Sequence, residues 1–319
     1  MADPRSPAPV VALAGGVGAA RFLRGLVRAV PADAVTAIVN TGDDKVFYGL
    51  DVSPDLDIVT YTLAGLVDVE RGWGLAGDSF AAIEALGRFG HETWFRLGDR
   101  DLATCLHRTL RLRAGAGLAG ATDEIRRALG VATRILPMSE DPSPTIVELS
   151  GGRRLHFEEY LVRDGAPSDV EAVDLAAARR ARPAPGVCEA LRLARTILVC
   201  PSNPVVSIAP ILAVPGVREA ILASGAPVVA VSPIVGGAPL KGPADRLLRA
   251  IGAEVSARGV ASLYRGLARG FVLDARDEEQ VPDIEALGLR ALAVDTIMRD
   301  AAAAESLARA ALGLADALR

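Results

Sequence analysis

The stretch NTGDDKVFYGLDVSPDLDIV, Asn40 to Val59, sets five aspartates, Asp43, Asp44, Asp51, Asp55 and Asp57, among turn residues of an otherwise apolar chain. Carboxylates gathered this closely repel one another unless something positive joins them. Magnesium suits such a set, because it is a hard cation held by one or two carboxylates together with substrate phosphate oxygens. Chemistry at a phosphate is therefore the first expectation. Asp43, Asp44, Asp55 and Asp57 are the candidate ligands of Mg2+, and Asp43, Asp44 and Asp57 the candidate catalytic groups. The plain alternative is turn formation by Asp43 and helix capping by Asp55, which accounts for only one or two of the acids.

Four other stretches carry chemistry. In GGVGAAR, Gly15, Gly16 and Gly18 would let backbone N–H groups approach a phosphate at a helix N-terminus, and Arg21 would add a guanidinium. Arg21 stands where a dinucleotide fingerprint has its third glycine, and no Gly-Lys-Ser/Thr follows, so the stretch is neither an NAD motif nor a Walker A loop. A tight strand–helix turn with a solvated Arg21 is its plain reading. In FRLGDRDLATCLHR, Asp99, Arg100 and Asp101 stand at the mouth of a helix and suit a polar ligand, unless Asp99 only caps that helix. CPSNPVVSI brackets Ser202 and Asn203 between two prolines, with hydroxyl and amide groups facing a cleft. SPIVGGAPLKGP offers a glycine loop with Lys241, fit for a phosphate or for a mobile surface turn. His91, His107 and His156 share no metal-ligand spacing, and no GxSxG elbow is present, which argues against a hydrolase triad.

The elements that must position these groups follow an α/β rhythm. PVVALAGG predicts a buried strand, GAARFLRGLVRAV a helix, and Ala34 to Asn40 a second strand. A helix begins at SPDLDIV, with Ser53 as cap and Pro54 in the first position. DSFAAIEALGRFG and DRDLATCLHRTLRLR predict helices on either side of a strand, Thr93 to Gly98. TIVELSGGRRLHFEEY alternates around Gly151-Gly152 and predicts a β-hairpin. Strands at TILVC, PVVAVS, GFVLD and LRALAVDT and a closing amphipathic helix complete the chain. The expected fold is α/β: a three-layer, Rossmann-like, doubly wound and mostly parallel sheet, with a β-hairpin excursion near residues 132–160. The glycine turn, the aspartates, the GDRD stretch, the Ser202–Asn203 turn and the lysine loop would all follow strands and line one cleft at their carboxyl ends. One domain over residues 10–319 is expected, with the hairpin region inserted at about residues 115–185, a loose tail over residues 1–9, and ARRARPAPG near residue 180 as the best linker candidate.

Composition narrows the partners. Half the residues are apolar, aromatics are 4 %, and the formal charge is −4, without a basic stripe, which argues against nucleic acid. Cys105, Cys188 and Cys200 are scattered and odd in number, so a disulfide framework or a zinc site is not expected, and a reducing cytoplasm fits. The apolar runs are of strand length, so no membrane span is expected.

Taken in order, GGVGAARFL, VNTGDD, PDLDIVTYTLAG, RGWG, LGDRDLAT, LPMSEDP, PSNPVVSI and SPIVGGAPLKGP resemble the 2-phospho-L-lactate transferases of coenzyme F420 biosynthesis, over the chain from about Val10 to the closing AVDTIM. Ile58 departs from the family's PDLDT form. The resemblance implies a cytoplasmic, Mg2+-dependent homodimer. It would transfer a phospho-three-carbon-acid unit from a GDP-linked donor to the hydroxyl of the deazaflavin FO, releasing GMP and forming a phosphodiester. By the same resemblance Asp43 and Asp44 face metal and donor, Asp57 also nears the hydroxylated chain of FO, and Arg96, Asp99 and Arg100 contact FO. Gly15, Gly16, Gly18 and Arg21 take the nucleotide end, with Ser202 and Asn203 in the same cleft. The rival readings are a non-catalytic regulator of the same fold that binds a sugar nucleotide or dinucleotide, and an NAD(P)-dependent oxidoreductase, which Arg21 counts against.

Overall fold

Val10–Ala14 carries no polar side chain, and all five of its residues are buried, as an interior strand covered on both faces requires. The computed structural model describes residues 9–319. In chain order its strands are β1 (Val10–Ala14), β2 (Val35–Val39), β3 (Lys45–Phe47), β4 (Leu50–Val52), β5 (Arg134–Pro137), β6 (Ile146–Leu149), β7 (Arg153–His156), β8 (Val170–Asp174), β9 (Thr196–Val199), β10 (Val228–Val231), β11 (Ile234–Val235), β12 (Ala238–Pro239), β13 (Gly270–Asp274) and β14 (Arg290–Val294). Seven of them form one sheet in the order β14-β13-β10-β9-β1-β2-β5, and every pairing in it is parallel.

Alternate residues of β1 enter opposite cores. Val11 and Leu13 join one apolar cluster, and Val10, Ala12 and Ala14 join the other. That is the period-two signature of a sheet with helices on both faces, and it confirms the three-layer architecture. One face is covered by α1 (Gly16–Ala29), α2 (Pro54–Leu63) and the closing helix Ala301–Asp316. Gly25 of α1 lets the closing helix in so closely that a Cβ there would meet the Ala304 carbonyl at 2.2 Å. The other face is covered by helices Val187–Leu193, Val217–Ser224, Ala244–Ala250 and Ala257–Leu263. Among the described residues no single helix is long and apolar enough to cross a membrane.

From β1 the chain runs outward through β2 and β5, then returns to build β9, β10, β13 and β14 on the other side. Strand order therefore reverses between β1 and β9, and the loops leaving their carboxyl ends part to opposite faces. In an open parallel sheet, that is where a ligand crevice forms.

Several expectations need correction. The hairpin at Gly151-Gly152 is present, as β6 and β7, but β8 joins it to make a three-stranded antiparallel sheet. β5 pairs with β2, so the excursion begins after Pro137 rather than at residue 132. The strand expected at Thr93 to Gly98 is irregular chain. Its neighbours Trp94 and Phe95 both pack on the Phe47 ring, with centroids 5.3 and 3.9 Å away. A strand would have sent two successive side chains to opposite faces. ARRARPAPG is no free linker: Ala178, Ala181 and Ala184 are buried, and Ala184 N donates to Met138 O at 3.2 Å. The tail expected over residues 1–9 lies outside the described residues except for Pro9, whose carbonyl accepts from Arg195 N at 2.8 Å. Inside the aspartate stretch, β3 and β4 pair as a hairpin that the sequence reading did not separate, turning at Tyr48 and Gly49 with φ of 53° and 76°.

Candidate active site

A cavity of about 750 Å³ opens over the carboxyl ends of the strands at the point where strand order reverses. It takes in Gly15, Gly16, Gly18, Arg21, Asp43, Asp55, Asp57, Arg96, Ser202, Asn203 and Lys241. Asp44, Asp99 and Arg100 are not in its wall. The GDRD stretch reaches it from an irregular segment rather than from a sheet strand.

The glycine turn is built for close approach. A Cβ on Gly18 would meet the Pro201 carbonyl oxygen at 2.4 Å, and Gly16 holds φ at +74°. Two N–H groups expected to face a phosphate are already engaged. Gly15 N donates to Ser202 Oγ at 3.2 Å, and Gly16 N donates to Asp55 Oδ1 at 2.7 Å. Val17 and Gly18 remain as wall groups of the first turn, and Arg21 joins them from the second. Asn203 spends its side-chain oxygen on Val205 N and Val206 N, at 3.0 and 3.4 Å, and so caps the wide helical turn Pro204–Ile208. Lys241 reaches the wall from the exposed glycine loop.

The aspartates occupy three environments. Asp55, in the first turn of α2 behind Pro54, also accepts from Asn40 Nδ2 at 3.0 Å. Asp44 accepts from Ser53 Oγ at 2.8 Å; Ser53 thus sits at the head of α2 without capping it through its side chain. Asp57 is clamped by Arg108 through both terminal guanidinium nitrogens. Arg108 lies on α4 (Asp99–Arg113), is 1 % exposed, and was missed in the sequence because an Arg inside an amphipathic helix looks like an exposed residue. Burial alone would lower the guanidinium pKa, but Asp57 beside it raises it.

Asp43 and Asp44 behave differently. Each keeps one buried carboxylate oxygen, Oδ1, without a hydrogen-bond partner among the described residues. Burial pushes Asp43 well above the usual carboxylate range, and the charges of Asp55, Glu158 and Asp44 push further. Burial likewise raises Asp44. Orphaned, mutually repelling carboxylate oxygens fit a hard divalent cation, so the residues suit the expected Mg2+ at Asp43 and Asp44, with Asp55 beside them. Asp57 already has its charge matched by Arg108. Among the described residues, the one group of three acid, thiol or imidazole side chains with ligand atoms within 4.8 Å of one another is Asp57, Asp101 and Cys105. Arg108 neutralises that group, and burial pushes the Cys105 thiol up, so it suits a cation poorly.

Aromatic side chains share the cavity wall. Trp73, Trp94, Phe95 and Phe157 line it, and the sequence reading assigned none of them. Arg96 lines it too, with the guanidinium carbon 4.5 Å from the Phe80 ring centroid and Nη2 3.7 Å from Glu84 Oε1. Asp99 accepts from Ser79 Oγ, Ala81 N and Ala82 N at 2.6, 3.1 and 2.9 Å. It therefore caps α3 (Ala81–Arg88) rather than the helix it begins. Asp78 in turn caps α4 by accepting from Arg100 N and Asp101 N at 2.9 and 3.1 Å. The acid that does face the cavity is Asp101, which accepts from Tyr61 Oη at 2.7 Å.

These buried acids set a pH dependence. Burial raises Asp55 to about 6, Asp101 to about 7 and Glu158 to about 8; a neighbouring charge adds to the last two, Asp57 for Asp101 and Asp55 for Glu158. Each folded value lies above the unfolded one, so each group favours folding while it is protonated. That contribution is complete below about pH 4 and is lost as pH rises through the folded values. The melting temperature of metal-free protein is expected to fall by roughly 5 °C or more between about pH 5.5 and about pH 8.5, and added Mg2+ to recover much of the loss. A flat or rising profile by calorimetry would remove the account of these carboxyls.

A doubly wound parallel sheet whose switch-point cavity joins a glycine turn, buried acids and aromatic side chains defines an α/β protein with the ligand cleft of an open parallel sheet. The family model described as "2-phospho-L-lactate transferase CofD" matches residues 10–307, and the chain belongs to that transferase family. It is 48 % identical, over 97 % of its length and 98 % of the relative's, to a protein of Kitasatospora aureofaciens named phosphoenolpyruvate transferase. It is 39 % identical, over 96 % of its length and 99 % of the relative's, to a 2-phospho-L-lactate transferase of Methanosarcina acetivorans. A Bacillus halodurans protein solved by crystallography shares the fold at a TM-score of 0.63 and 22 % identity, with 96 % of this chain and 99 % of that one covered.

Proposed function

We propose that the protein transfers the phosphoenolpyruvyl unit of a GDP-linked donor to the hydroxyl that ends the side chain of the deazaflavin FO, in coenzyme F420 biosynthesis. The observation that carries this reading is the mixed lining of the cavity. Phosphate-seeking groups and the orphaned Asp43 carboxylate share one wall with Trp73, Trp94 and Phe95, which suit a stacked planar heterocycle. The choice of phosphoenolpyruvate rests on relatives. Those named phosphoenolpyruvate transferase from Kitasatospora and Streptomyces griseus are 48 % and 47 % identical, against 39 % for the Methanosarcina protein.

In this reading the hydroxyl oxygen bonds to the acid-bearing phosphorus, the bond from that phosphorus to GMP breaks, and the hydroxyl proton leaves. Asp43, with Asp44 and Asp55, would hold Mg2+. The bound ion would neutralise charge on the phosphate oxygens as GMP departs. Arg108 keeps Asp57 fixed toward the cavity, where it can accept a hydrogen bond from the FO chain. Arg21 and Lys241, at the wall without ion-pair partners among the described residues, would take donor phosphate or carboxylate. Trp94 and Phe95 hold the ring and exclude water. The protein would work as a homodimer.

The test supplies purified protein with Mg2+, FO and equal amounts of two donors, GDP carrying enolpyruvate and GDP carrying lactate on its terminal phosphate. GMP release and a product carrying the unsaturated acid are expected by mass spectrometry. Dominance of the lactyl product would reverse the donor assignment. Nucleotide binding without GMP release would favour a non-catalytic regulator instead.

A further inference from the structure

Glu158 lies on none of the loops that leave the central sheet. It follows β7 and leads into the wide helical turn Glu159–Arg163. Its side chain is 5 % exposed and lines the cavity with Asp43 and Asp55. Burial and then the charge of Asp55 raise its pKa, and no hydrogen bond or ion pair engages its carboxylate among the described residues.

The backbone sets its place. Thr145 N donates to Gly42 O at 2.8 Å, and Phe157 N donates to Thr145 O at 3.0 Å. Two hydrogen bonds therefore lead from the residue before Asp43 to the residue before Glu158. Gly42 admits this approach, since a Cβ there would meet Thr145 Oγ1 at 2.3 Å. The next residues along are tied too, by Lys45 Nζ to Glu159 Oε1 at 2.9 Å. Glu158 N donates to His156 Nδ1 at 3.2 Å, which fixes the turn from the other side.

The chain gives donors to Asp55 and an arginine to Asp57, but nothing to Asp43 Oδ1 or to the Glu158 carboxylate. A buried Asp43 oxygen and the Glu158 carboxylate, both without a partner and tied together through the backbone, leave their complement to come from outside. A hard divalent cation with oxygen ligands is that complement. We infer that Glu158, carried by the three-stranded excursion, is a ligand of the divalent cation placed at Asp43 and Asp55. The inference rests on the cation reading of that site. It makes the excursion part of the active site.

The experiment titrates Mn2+ into metal-free full-length protein in the presence of GDP and reads free Mn2+ by electron paramagnetic resonance. Glu158→Gln is expected to weaken Mn2+ binding at least about tenfold, as loss of one charged ligand should, and Asp43→Asn to do the same. The melting temperature of metal-free Glu158→Gln should not fall below that of the unaltered protein, because no hydrogen bond or ion pair holds the Glu158 carboxylate. Glu158→Asp, which keeps the charge and shortens the reach, should weaken binding less than Glu158→Gln, and it serves if the amide variant does not fold. Unchanged Mn2+ affinity in the Glu158 variants beside a loss in Asp43→Asn overturns the inference and leaves the Asp43 site standing. Absence of Mn2+ binding by the unaltered protein removes the cation reading itself, and this inference with it.

Discussion

Asp43→Asn is expected to lower the rate of GMP release at least about a hundredfold, the scale on which preorganised charge at a reacting phosphate acts. The carboxylate is 4 % exposed, lines the cavity, and keeps an oxygen without a partner. Of its neighbours, only the Asn40 side chain favours the charge, by a hydrogen bond. Asp44, Asp55 and Glu158 all push against that charge, so the amide should leave the metal-free melting temperature unchanged or higher. The measurement pairs GMP release at saturating Mg2+ with calorimetry of the metal-free variant. Near-normal turnover in a folded Asp43→Asn protein would end the assignment of the orphaned oxygen to the reaction.

Arg108→Ala is expected to destabilise the fold by about 3–5 kcal/mol, because it leaves Asp57 buried and unpaired. In a chain of this size that is a drop of roughly 10 °C in melting temperature. Arg108 and Asp57 are 1 % and 8 % exposed in their side chains, so water cannot replace the lost partner. Asp57→Asn should be costly for the mirror-image reason, and inactivity of that variant alone says little about catalysis. The double variant Asp57→Leu with Arg108→Met separates the two effects. It should recover most of the stability while remaining inactive, because the apolar pair has no charge to strand and none to offer the substrate. Urea denaturation and GMP release on the three variants read both quantities. An Arg108→Ala protein as stable as the unaltered one would show that the clamp is energetically idle.

Much of the architecture was legible because its signals are local. The run from Val10 to Ala14, the helix over Gly16–Ala29 and the later strands each follow from side-chain period and bounding glycines. The glycine turn and the Ser202–Asn203 turn could be assigned to one cleft because β1 and β9 both read as interior strands, and parallel strands put their carboxyl ends on one side. Asp43, Asp55 and Asp57 were visible as an excess of acid beyond what turns and caps consume.

The roles within the cleft were not legible. Asp99 and Asp101 stand two residues apart at the head of one helix, yet the first caps α3 and the second faces the cavity. Which way each points depends on where Asp78 and Ser79 lie, and no spacing rule encodes that. Trp94 and Phe95 read as a strand because aromatic residues favour strands, but tertiary stacking on Phe47 overrode that preference. By itself the sequence determined the sheet, its helical layers and the loop families at its rim, since periodicity and turn chemistry act over neighbouring residues. Only the tertiary structure decided which acids keep a partner and which do not. Arg108 reaches Asp57 across 51 positions, and Glu158 arrives beside Asp43 from a separate antiparallel sheet, and contacts at such separation follow from packing rather than from any local pattern.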